Sequence, residues 1–325
     1  MVGAPRSGTT MLQRMLGSHS QVYTHPEPHI VQPMVFLGYF DRVDAAPYDH
    51  INASEAMREY VAALPRGERD YVDACRAYLD VLYARMVEPT GKRYFLDKTP
   101  ANALALDFLS LVYPGAHYVV LTRHPLAVLC SYAESFFESD LAAAQAYNPI
   151  LERYVPAIAR FLRAGRVPTA HVKYEELVRD PEPHIKQLFE FLGLDHEPGV
   201  IEYGEHEHVS KSYGDPKVTE HSRPVTTSVE KWASFLRADP ARLEIARRSV
   251  EPLDDRDLEA WGFDREGLLA PLERAGQPPA ESRKWKTSRY RLQRRVLMRL
   301  RREPAVGKVA RRVRFYADVI LRDKL

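Results

Sequence analysis

An eight-residue segment near the start of the chain has the spacing of a phosphate-binding loop. Residues 3–10 read Gly-Ala-Pro-Arg-Ser-Gly-Thr-Thr, which follows the Walker pattern G-x-x-x-x-G-K-[ST] with threonine where the lysine should be. Nucleoside-triphosphate enzymes use that lysine to hold the β- and γ-phosphates beside Mg²⁺. The segment therefore keeps the features of a phosphate cradle but lacks the residue that is typical of a triphosphate site.

Backbone and side-chain groups of this segment are suited to binding an anion. The backbone N–H groups of residues 7–10 can point into a phosphate, and the apolar pattern of residues 11–16 predicts a helix that begins there. Arg6 adds a positive charge that persists at neutral pH. A glycine-containing turn before an ordinary helix is the alternative interpretation.

Further short motifs carry residues that can bind or stabilise charged groups. They are Asp97-Lys98-Thr99-Pro100, Arg123-His124-Pro125 with Ser131 eight residues past the arginine, Tyr174-Glu175-Glu176-Leu177, and Lys231-Trp232. Together with the loop, and in this order, they resemble the motifs of sulfotransferases that use 3′-phosphoadenosine 5′-phosphosulfate (PAPS). The resemblance covers about residues 1–265. Within that superfamily, the layout is similar to the branch that contains the protein-tyrosine sulfotransferases and many bacterial enzymes.

The resemblance implies a donor-binding role for each of these motifs. The 5′-phosphosulfate would be held by the loop residues Arg6, Ser7, Gly8, Thr9 and Thr10. Arg123 and Ser131 would bind the 3′-phosphate, which is the group that separates this donor from ATP. Tyr174 would contact the adenine, and Lys231 would bind the donor after a segment that closes over the nucleotide. The residues alone leave open a capping or ion-pair role for Arg123 and a core position for Tyr174.

Two residues are candidates for the base that deprotonates the acceptor hydroxyl. Glu27 lies 21 residues after Arg6, the offset at which the tyrosine-sulfotransferase branch carries its catalytic glutamate. A partly desolvated carboxylate is suited to accepting a hydroxyl proton, which favours Glu27. His25 is the alternative because histidine titrates near neutrality.

Lys98 is a candidate for stabilising negative charge on the leaving phosphate. It follows a predicted strand, and open α/β sheets bind their ligands at the carboxyl ends of strands. The resemblance implies this catalytic role, whereas the position by itself favours a solvent-facing lysine. Sulfuryl transfer then needs an in-line acceptor oxygen and charge stabilisation, without a covalent protein intermediate.

Two positions depart from the pattern of the tyrosine-sulfotransferase branch. That branch has an arginine two residues after its glutamate, where this chain has His29, and another near the 3′-phosphate, where it has Ser135. The first departure leaves the acceptor open. A glycan, a lipid or polyketide hydroxyl, a phenol and a peptidyl tyrosine are the candidate acceptors.

Strand and helix patterns alternate after the loop, which predicts an α/β fold with a P-loop-type, doubly wound parallel sheet flanked by helices. The predicted strands are residues 93–96, 117–122 and 169–172, and the predicted helices include residues 70–87, 150–162 and 183–192. Only Met1 and Val2 precede the loop. The strand expected there is therefore either very short or trimmed at its start.

A basic segment at the C-terminus sets itself apart from the rest of the chain. Residues 283–325 contain 16 Lys and Arg against three acids, although the whole chain has a net charge of only +2. Interleaved apolar and basic positions predict an amphipathic helical extension. We divide the chain into a domain of residues 1–275 and an extension of residues 280–325. The extension is a candidate for contact with an anionic membrane surface or an acidic partner. Alternatively, it is a solvated helix that packs on its own domain. No nucleic-acid-binding module is recognised in the sequence.

The composition is that of a globular protein, with 45% hydrophobic and 28% charged residues among 325. No apolar run approaches the ~18 residues of a membrane span, and no leader-like pattern precedes the loop, so we expect a cytoplasmic protein. Cys75 and Cys130 are too few for a disulfide framework and lack metal-ligand spacing.

The sequence thus predicts a metal-independent sulfotransferase that moves the sulfuryl group from PAPS to a hydroxyl acceptor. Two other classes stay open. One is a P-loop kinase or nucleotide hydrolase with an atypical loop, and the other is a binding protein that docks through its basic extension.

Overall fold

The computed structural model describes residues 1–27, 31, 34, 57–206 and 221–274. The strands in this part of the chain are β1 (Val2–Gly3), β2 (Val22–Pro26), β3 (Tyr94–Lys98), β4 (Tyr118–Thr122) and β5 (Thr169–Lys173). The α-helices are α1 (Thr9–Gly17), α2 (Glu68–Val87), α3 (Leu106–Val112), α4 (Pro125–Phe136), α5 (Leu141–Tyr147), α6 (Ile150–Ala164), α7 (Tyr174–Arg179), α8 (Pro181–Leu192), α9 (Lys231–Arg237), α10 (Pro240–Val250), α11 (Asp255–Trp261) and α12 (Ala270–Arg274). Residues 57–62 are also helical.

The strands pair in parallel in two ladders. One has the order β1-β4-β5, with Val2 opposite Val120 and Val120 opposite His171, and the other pairs β2 with β3. The amino group of Met1 donates a hydrogen bond to the Asp97 carbonyl (3.0 Å), which brings β3 beside β1. Parallel strands need crossover connections, and helices supply them here. The predicted α/β fold with a helix-flanked parallel sheet is confirmed.

The core lies on both faces of the sheet, as the residues of β4 show. Tyr118 and Val120 belong to a cluster formed with helices such as α4 and α6, whereas Val119 and Leu121 belong to a second cluster with α1, α7 and α8. Successive side chains of a strand point to opposite faces, so both sets are buried. This explains why the sequence of β4 is apolar without alternation.

Most predicted elements are present with small shifts of their ends. The helix predicted for residues 70–87 begins at Glu68, and the one predicted for residues 183–192 begins at Pro181 and ends before Gly193, whose φ is 67°. The strand before the loop is only two residues long. Sequence analysis missed β2, which contains a proline and polar residues and forms by pairing with β3 along its whole length.

The helix predicted for residues 70–87 has an apolar stripe that is buried over only part of its length. In α2, Val72, Cys75 and Leu79 are buried, but Leu82 and Met86 on the same stripe are 36% and 41% exposed. The helix extends beyond the part of it that packs on the core. Periodicity predicts which side of a helix is apolar, but not how far the neighbouring elements cover it.

The predicted basic extension, residues 280–325, lies outside the described residues, as does His29. The division into residues 1–275 and 280–325 therefore stays a prediction. No helix in the described ranges is long and apolar enough to cross a membrane.

Candidate active site

The phosphate loop connects β1 to α1 through two residues with left-handed backbone. Arg6 has φ 72° and Gly8 has φ 91°, and α1 begins at the next residue, Thr9. Ser7 is fully buried, and its N–H donates to the Ala4 carbonyl at 3.1 Å; its hydroxyl donates to the same oxygen. Ser7 therefore closes the turn, and the N–H groups that begin α1 remain the expected anion donors.

Two glycines of the loop permit close contacts that a side chain would prevent. A Cβ on Gly3 would lie 2.6 Å from Thr9 Cγ2 and 2.7 Å from the Leu121 carbonyl oxygen. A Cβ on Gly8 would collide with the ring of Tyr174. Glycine at these positions lets the loop lie directly against the neighbouring strand ends.

Arg6 and Arg123 lie in one group of contacts, which we call the arginine cluster and which consists of Arg6, Arg123, Ser131, Tyr174 and Ser228. Arg6 Nε donates to Ser131 Oγ at 3.2 Å, and Arg123 Nη1 donates to the Arg6 carbonyl at 3.0 Å. Arg123 Nη2 donates to the Ser228 carbonyl at 2.7 Å. The structure thus brings together the predicted loop arginine and both predicted 3′-phosphate ligands.

Tyr174 forms one wall of the arginine cluster. The Arg123 guanidinium lies over its ring at 4.4 Å from the centroid, and its hydroxyl is 2.6 Å from Ser228 Oγ. Tyr174 is buried, with 6% of its surface exposed. The ring therefore supports Arg123 and Gly8, and its predicted contact with the adenine stays a prediction.

Glu27 and Lys98 form a second group, which we call the ion pair. Lys98 Nζ lies 2.6 Å from Glu27 Oε1, and the side chains are 1% and 17% exposed. Lys98 is the last residue of β3, and Glu27 directly follows β2 with a φ of 36°. Because β2 and β3 pair in parallel, their carboxyl ends bring these two residues together across 71 positions of sequence. The alternative of a solvent-facing Lys98 is wrong.

The elements that carry the ion pair are held by polar contacts to their neighbours. Gln13 of α1 donates to Thr24 Oγ1 (2.6 Å) and to the His25 carbonyl (3.0 Å), which ties β2 to the phosphate-loop helix. The Tyr83 hydroxyl donates to Asp97 Oδ2 at 2.7 Å and anchors β3 to α2. The geometry joins Glu27 with Lys98, and the backbone carbonyl of His25 helps to hold β2 against α1.

Lys231 lies at the surface of the site rather than within either group. Its side chain is 63% exposed, and its Nζ lies 2.9 Å from Glu134 Oε1 on α4. Glu134 follows Ser131 by one helical turn, so Lys231 stands near the arginine cluster. Its predicted contact with the donor stays a prediction.

His124, the residue that follows Arg123, is buried among aromatic rings. Its ring stacks on Trp232 with 4.2 Å between the ring centroids and 22° between the planes, and it forms a T-shaped pair with Phe263 at 5.2 Å between the centroids. Burial lowers the pKa of His124 to about 3, because the charged imidazolium would lose its hydration. The ring is therefore neutral over the physiological range.

Sequence analysis missed several residues that shape the site: Gln13, Ser228, Trp261 and the carboxylate of Glu175. Ser228 lies in the turn Thr226–Ser228 before α9, and Glu175 is the second residue of α7. The acidic residue next to Tyr174 was visible in the sequence. Its partner is the N–H group of His124, which lies 51 residues away, so no local pattern indicates this contact.

The chain is similar in sequence to a known protein family and to several known proteins. A family model described as Sulfotransferase family matches residues 1–198. The chain is 30% identical over 262 residues to nodulation protein NoeE of Sinorhizobium fredii, covering 73% of this chain and 60% of that protein. It is 25% identical over 248 residues to protein-tyrosine sulfotransferase 2 of Gallus gallus, covering 73% and 63%. The chain thus spans less than two thirds of the length of these relatives.

A solved structure shares the fold. The sulfotransferase domain from the curacin biosynthetic pathway superposes with a TM-score of 0.51 at 20% identity, covering 78% of this chain and 97% of that one. At this identity the structural likeness supports the fold alone, that is, an architecture of parallel strands and flanking helices.

Proposed function

Because this chain belongs to the sulfotransferase family, we propose that it transfers the sulfuryl group from PAPS to a hydroxyl acceptor. The observation that carries the proposal is the ion pair: a buried lysine and a carboxylate in contact at the carboxyl ends of β2 and β3. This is the edge at which α/β sheets bind their ligands. The phosphate loop follows β1, and Arg123 and Tyr174 follow β4 and β5.

The arrangement of cations fits a donor that carries phosphate at two places. The loop and Arg6 would hold the 5′-phosphosulfate, using Ser7, Gly8, Thr9 and Thr10. Arg123 and Ser131 would bind the 3′-phosphate, since both already contact Arg6, with Arg123 two residues before α4 and Ser131 within that helix. Lys231 would add a contact from the surface.

In the proposed reaction, the acceptor oxygen forms a bond to sulfur while the bond from sulfur to the bridging phosphate oxygen breaks. Glu27 accepts the proton of the acceptor hydroxyl. The electron pair of the broken bond stays on the phosphate, and Lys98 stabilises the added negative charge. Glu27 and Lys98 are in direct contact, so the proposed proton acceptor and the proposed charge-stabilising group lie at the same place. Between the two predicted bases, we favour Glu27 over His25 on this contact.

The acceptor is proposed only by chemical class, as a hydroxyl of a glycan, a lipid or polyketide, a phenol or a peptidyl tyrosine. The relatives named above as a nodulation protein, a protein-tyrosine sulfotransferase and a domain of a biosynthetic pathway are diverse. A screen of these four classes with ³⁵S-labelled donor would identify the class.

Isothermal titration tests the proposed donor directly. We expect 3′-phosphoadenosine 5′-phosphate (PAP) to bind more tightly than adenosine 5′-phosphate (AMP), because Arg123 and Ser131 would contact the additional phosphate. ATP with Mg²⁺ is the matched competitor. Tight binding of ATP with no preference for a 3′-phosphate would reject the proposal in favour of a kinase or nucleotide hydrolase.

A further inference from the structure

The peptide bond between Arg123 and His124 has both of its polar groups bound by side chains. The Arg123 carbonyl accepts a hydrogen bond from Trp261 Nε1 at 2.8 Å, and the His124 N–H donates to Glu175 Oε1 at 2.9 Å. The carbonyl and the N–H belong to the same planar unit. Rotation of this unit would therefore break both hydrogen bonds at once.

These two side chains reach the peptide from separate parts of the fold. Glu175 lies in α7, directly after β5, and Trp261 ends α11. Trp261 is fully buried, and Glu175 is 9% exposed. Both hydrogen bonds are thus shielded from water, and a group left without its partner there would be costly.

The residue on the far side of this peptide is also immobilised. The His124 ring is stacked on Trp232 and meets the edge of Phe263, while the helix α4 begins at the next residue. Proline at position 125 restricts the backbone of His124 to the extended region, in agreement with its ψ of 123°. The backbone that carries Arg123 is therefore held on its C-terminal side by side chains from three elements.

The contacts of the Arg123 side chain are made by its guanidinium group, whose position depends on the backbone from which the side chain extends. Its guanidinium spans the Arg6 and Ser228 carbonyls and lies over the Tyr174 ring. A guanidinium recognises a phosphate through several N–H groups in a fixed fork, so a change of its direction weakens binding.

We propose that Glu175 and Trp261 are positioning residues that hold the Arg123–His124 peptide and thereby set the preference for a donor with a 3′-phosphate. This inference rests on the proposed function, in which Arg123 binds that phosphate. Neither side chain needs to touch the donor. Replacing Glu175 or Trp261 should therefore reduce the contribution of the 3′-phosphate to donor affinity and leave binding of the 5′ end unchanged.

The experiment compares the dissociation constants of PAP and AMP for the intact chain and four variants. Trp261→Phe removes the N–H and keeps a buried ring, and Glu175→Leu removes the acceptor. Glu175→Gln keeps an acceptor oxygen and serves as the conservative rescue. Phe189→Leu is the matched control, because Phe189 is a fully buried ring in the other core cluster.

We expect Trp261→Phe and Glu175→Leu to lower the preference for PAP over AMP by about tenfold, the effect of one lost buried hydrogen bond. The dissociation constant of AMP should change by less than about threefold, since the N–H groups of the phosphate loop, which would hold the 5′ end, do not belong to the restrained peptide. Glu175→Gln should keep most of the preference, and Phe189→Leu should leave it unchanged.

The outcomes separate this inference from the proposed function. If the unmodified protein shows no preference for PAP, the proposed donor is wrong and the inference falls with it. If that preference exists and both folded variants retain it, or if PAP and AMP weaken equally, the inference alone is overturned. Should Trp261→Phe fail to fold, the difference between Glu175→Leu and Glu175→Gln decides.

Discussion

The arginine cluster and the ion pair hold their cations in different ways. The hydrogen bonds of Arg123 described above go to neutral carbonyl oxygens, and its guanidinium rests on an aromatic ring. Lys98 instead contacts a carboxylate and is almost completely buried. The hydrogen bonds that orient the Arg123 guanidinium thus go to neutral oxygens, whereas the ion pair contains opposite charges in direct contact.

This difference matches the tasks that we propose for the two regions. Neutral hydrogen-bond acceptors orient an arginine without cancelling its charge, so its guanidinium can still bind a phosphate. A buried lysine is stable only with a counter-charge, and Glu27 supplies it. At the ion pair the charges would change during the reaction, as Glu27 gains a proton and the leaving phosphate gains negative charge. Changes in the ion pair should therefore affect turnover, and changes in the arginine cluster should affect donor binding.

The largest expected effect is the loss of turnover on replacing the carboxylate of the ion pair. Glu27→Gln keeps the shape of the side chain but cannot take up the acceptor proton, so kcat should fall by ~10²–10⁴, the usual contribution of a general base. The dissociation constant of PAP should stay within a few-fold. Steady-state assays with saturating labelled donor measure kcat, and calorimetry measures the dissociation constant.

Glu244→Gln is the matched control for Glu27→Gln. Glu244 also contacts a cation, Arg248 at 2.7 Å, but this pair is exposed on α10. Its replacement should leave kcat unchanged. Turnover by Glu27→Gln within a few-fold of the unmodified protein would assign the base to another group, with His25 as the first alternative.

The second effect concerns the arginine cluster. Arg123→Lys keeps the charge but loses the fork of N–H groups, so PAP should bind about 10–100-fold more weakly. With saturating donor, kcat should change far less than in Glu27→Gln. Arg242→Lys is the control. Arg242, on α10, also lies over an aromatic ring, with its guanidinium carbon 4.2 Å from the centroid of Phe235. Equal losses in donor affinity and kcat would contradict the division of tasks.

The third effect is a pH dependence of the free energy of unfolding, and it is caused by His124, the residue next to Arg123. The pKa of His124 is lowered to about 3 in the fold, so between about pH 6.5 and 3 the unfolded chain binds more protons. Stability from the neutral ring is thus present above the unfolded pKa and is lost as the pH falls. Between pH 7.5 and 5 the loss should be about 2 kcal/mol.

His124→Phe isolates this contribution because it retains a ring between Trp232 and Phe263 but cannot titrate. Urea unfolding at the two pH values should show a smaller loss of stability in the variant. An identical pH dependence in both proteins would mean that His124 does not titrate in this range on unfolding.

The smallest effect is expected at the rim of the site. Lys231 is 63% exposed and contacts Glu134 at the surface, where an ion pair contributes under ~1 kcal/mol. Lys231→Ala should therefore weaken PAP binding by less than about fivefold. A rise above tenfold in the dissociation constant would show that Lys231 contributes to donor binding as a member of the arginine cluster does.

Local patterns predicted the parts of the fold in which neighbouring residues set the conformation. The phosphate loop was recognisable because Gly3 and Gly8 stand at positions where a Cβ would clash. The helices α6 and α8 were predicted from apolar residues at helical spacing. Strand β4 was predicted from its continuous apolar run, since both of its faces are covered.

Other features depend on partners that are remote in sequence. Strand β2 reads Val-Tyr-Thr-His-Pro, a pattern that does not alternate, and it is extended because it pairs with β3 and its side chains bond to Gln13 and the Leu96 carbonyl. The exposure of Leu82 and Met86 depends on where neighbouring elements end. A sequence window contains neither kind of information.

The amino-acid sequence by itself determined the types of chemistry available: a phosphate loop without its lysine, cations after the strands, and candidate bases near residue 27. Only the tertiary structure decided which of these groups meet. It paired Glu27 with Lys98 and placed Glu175 and Trp261 on one peptide beside Arg123. The physical reason is that residue spacing controls hydrogen bonding within a turn or helix, whereas contacts across 51 to 138 residues arise from the packing of whole strands and helices.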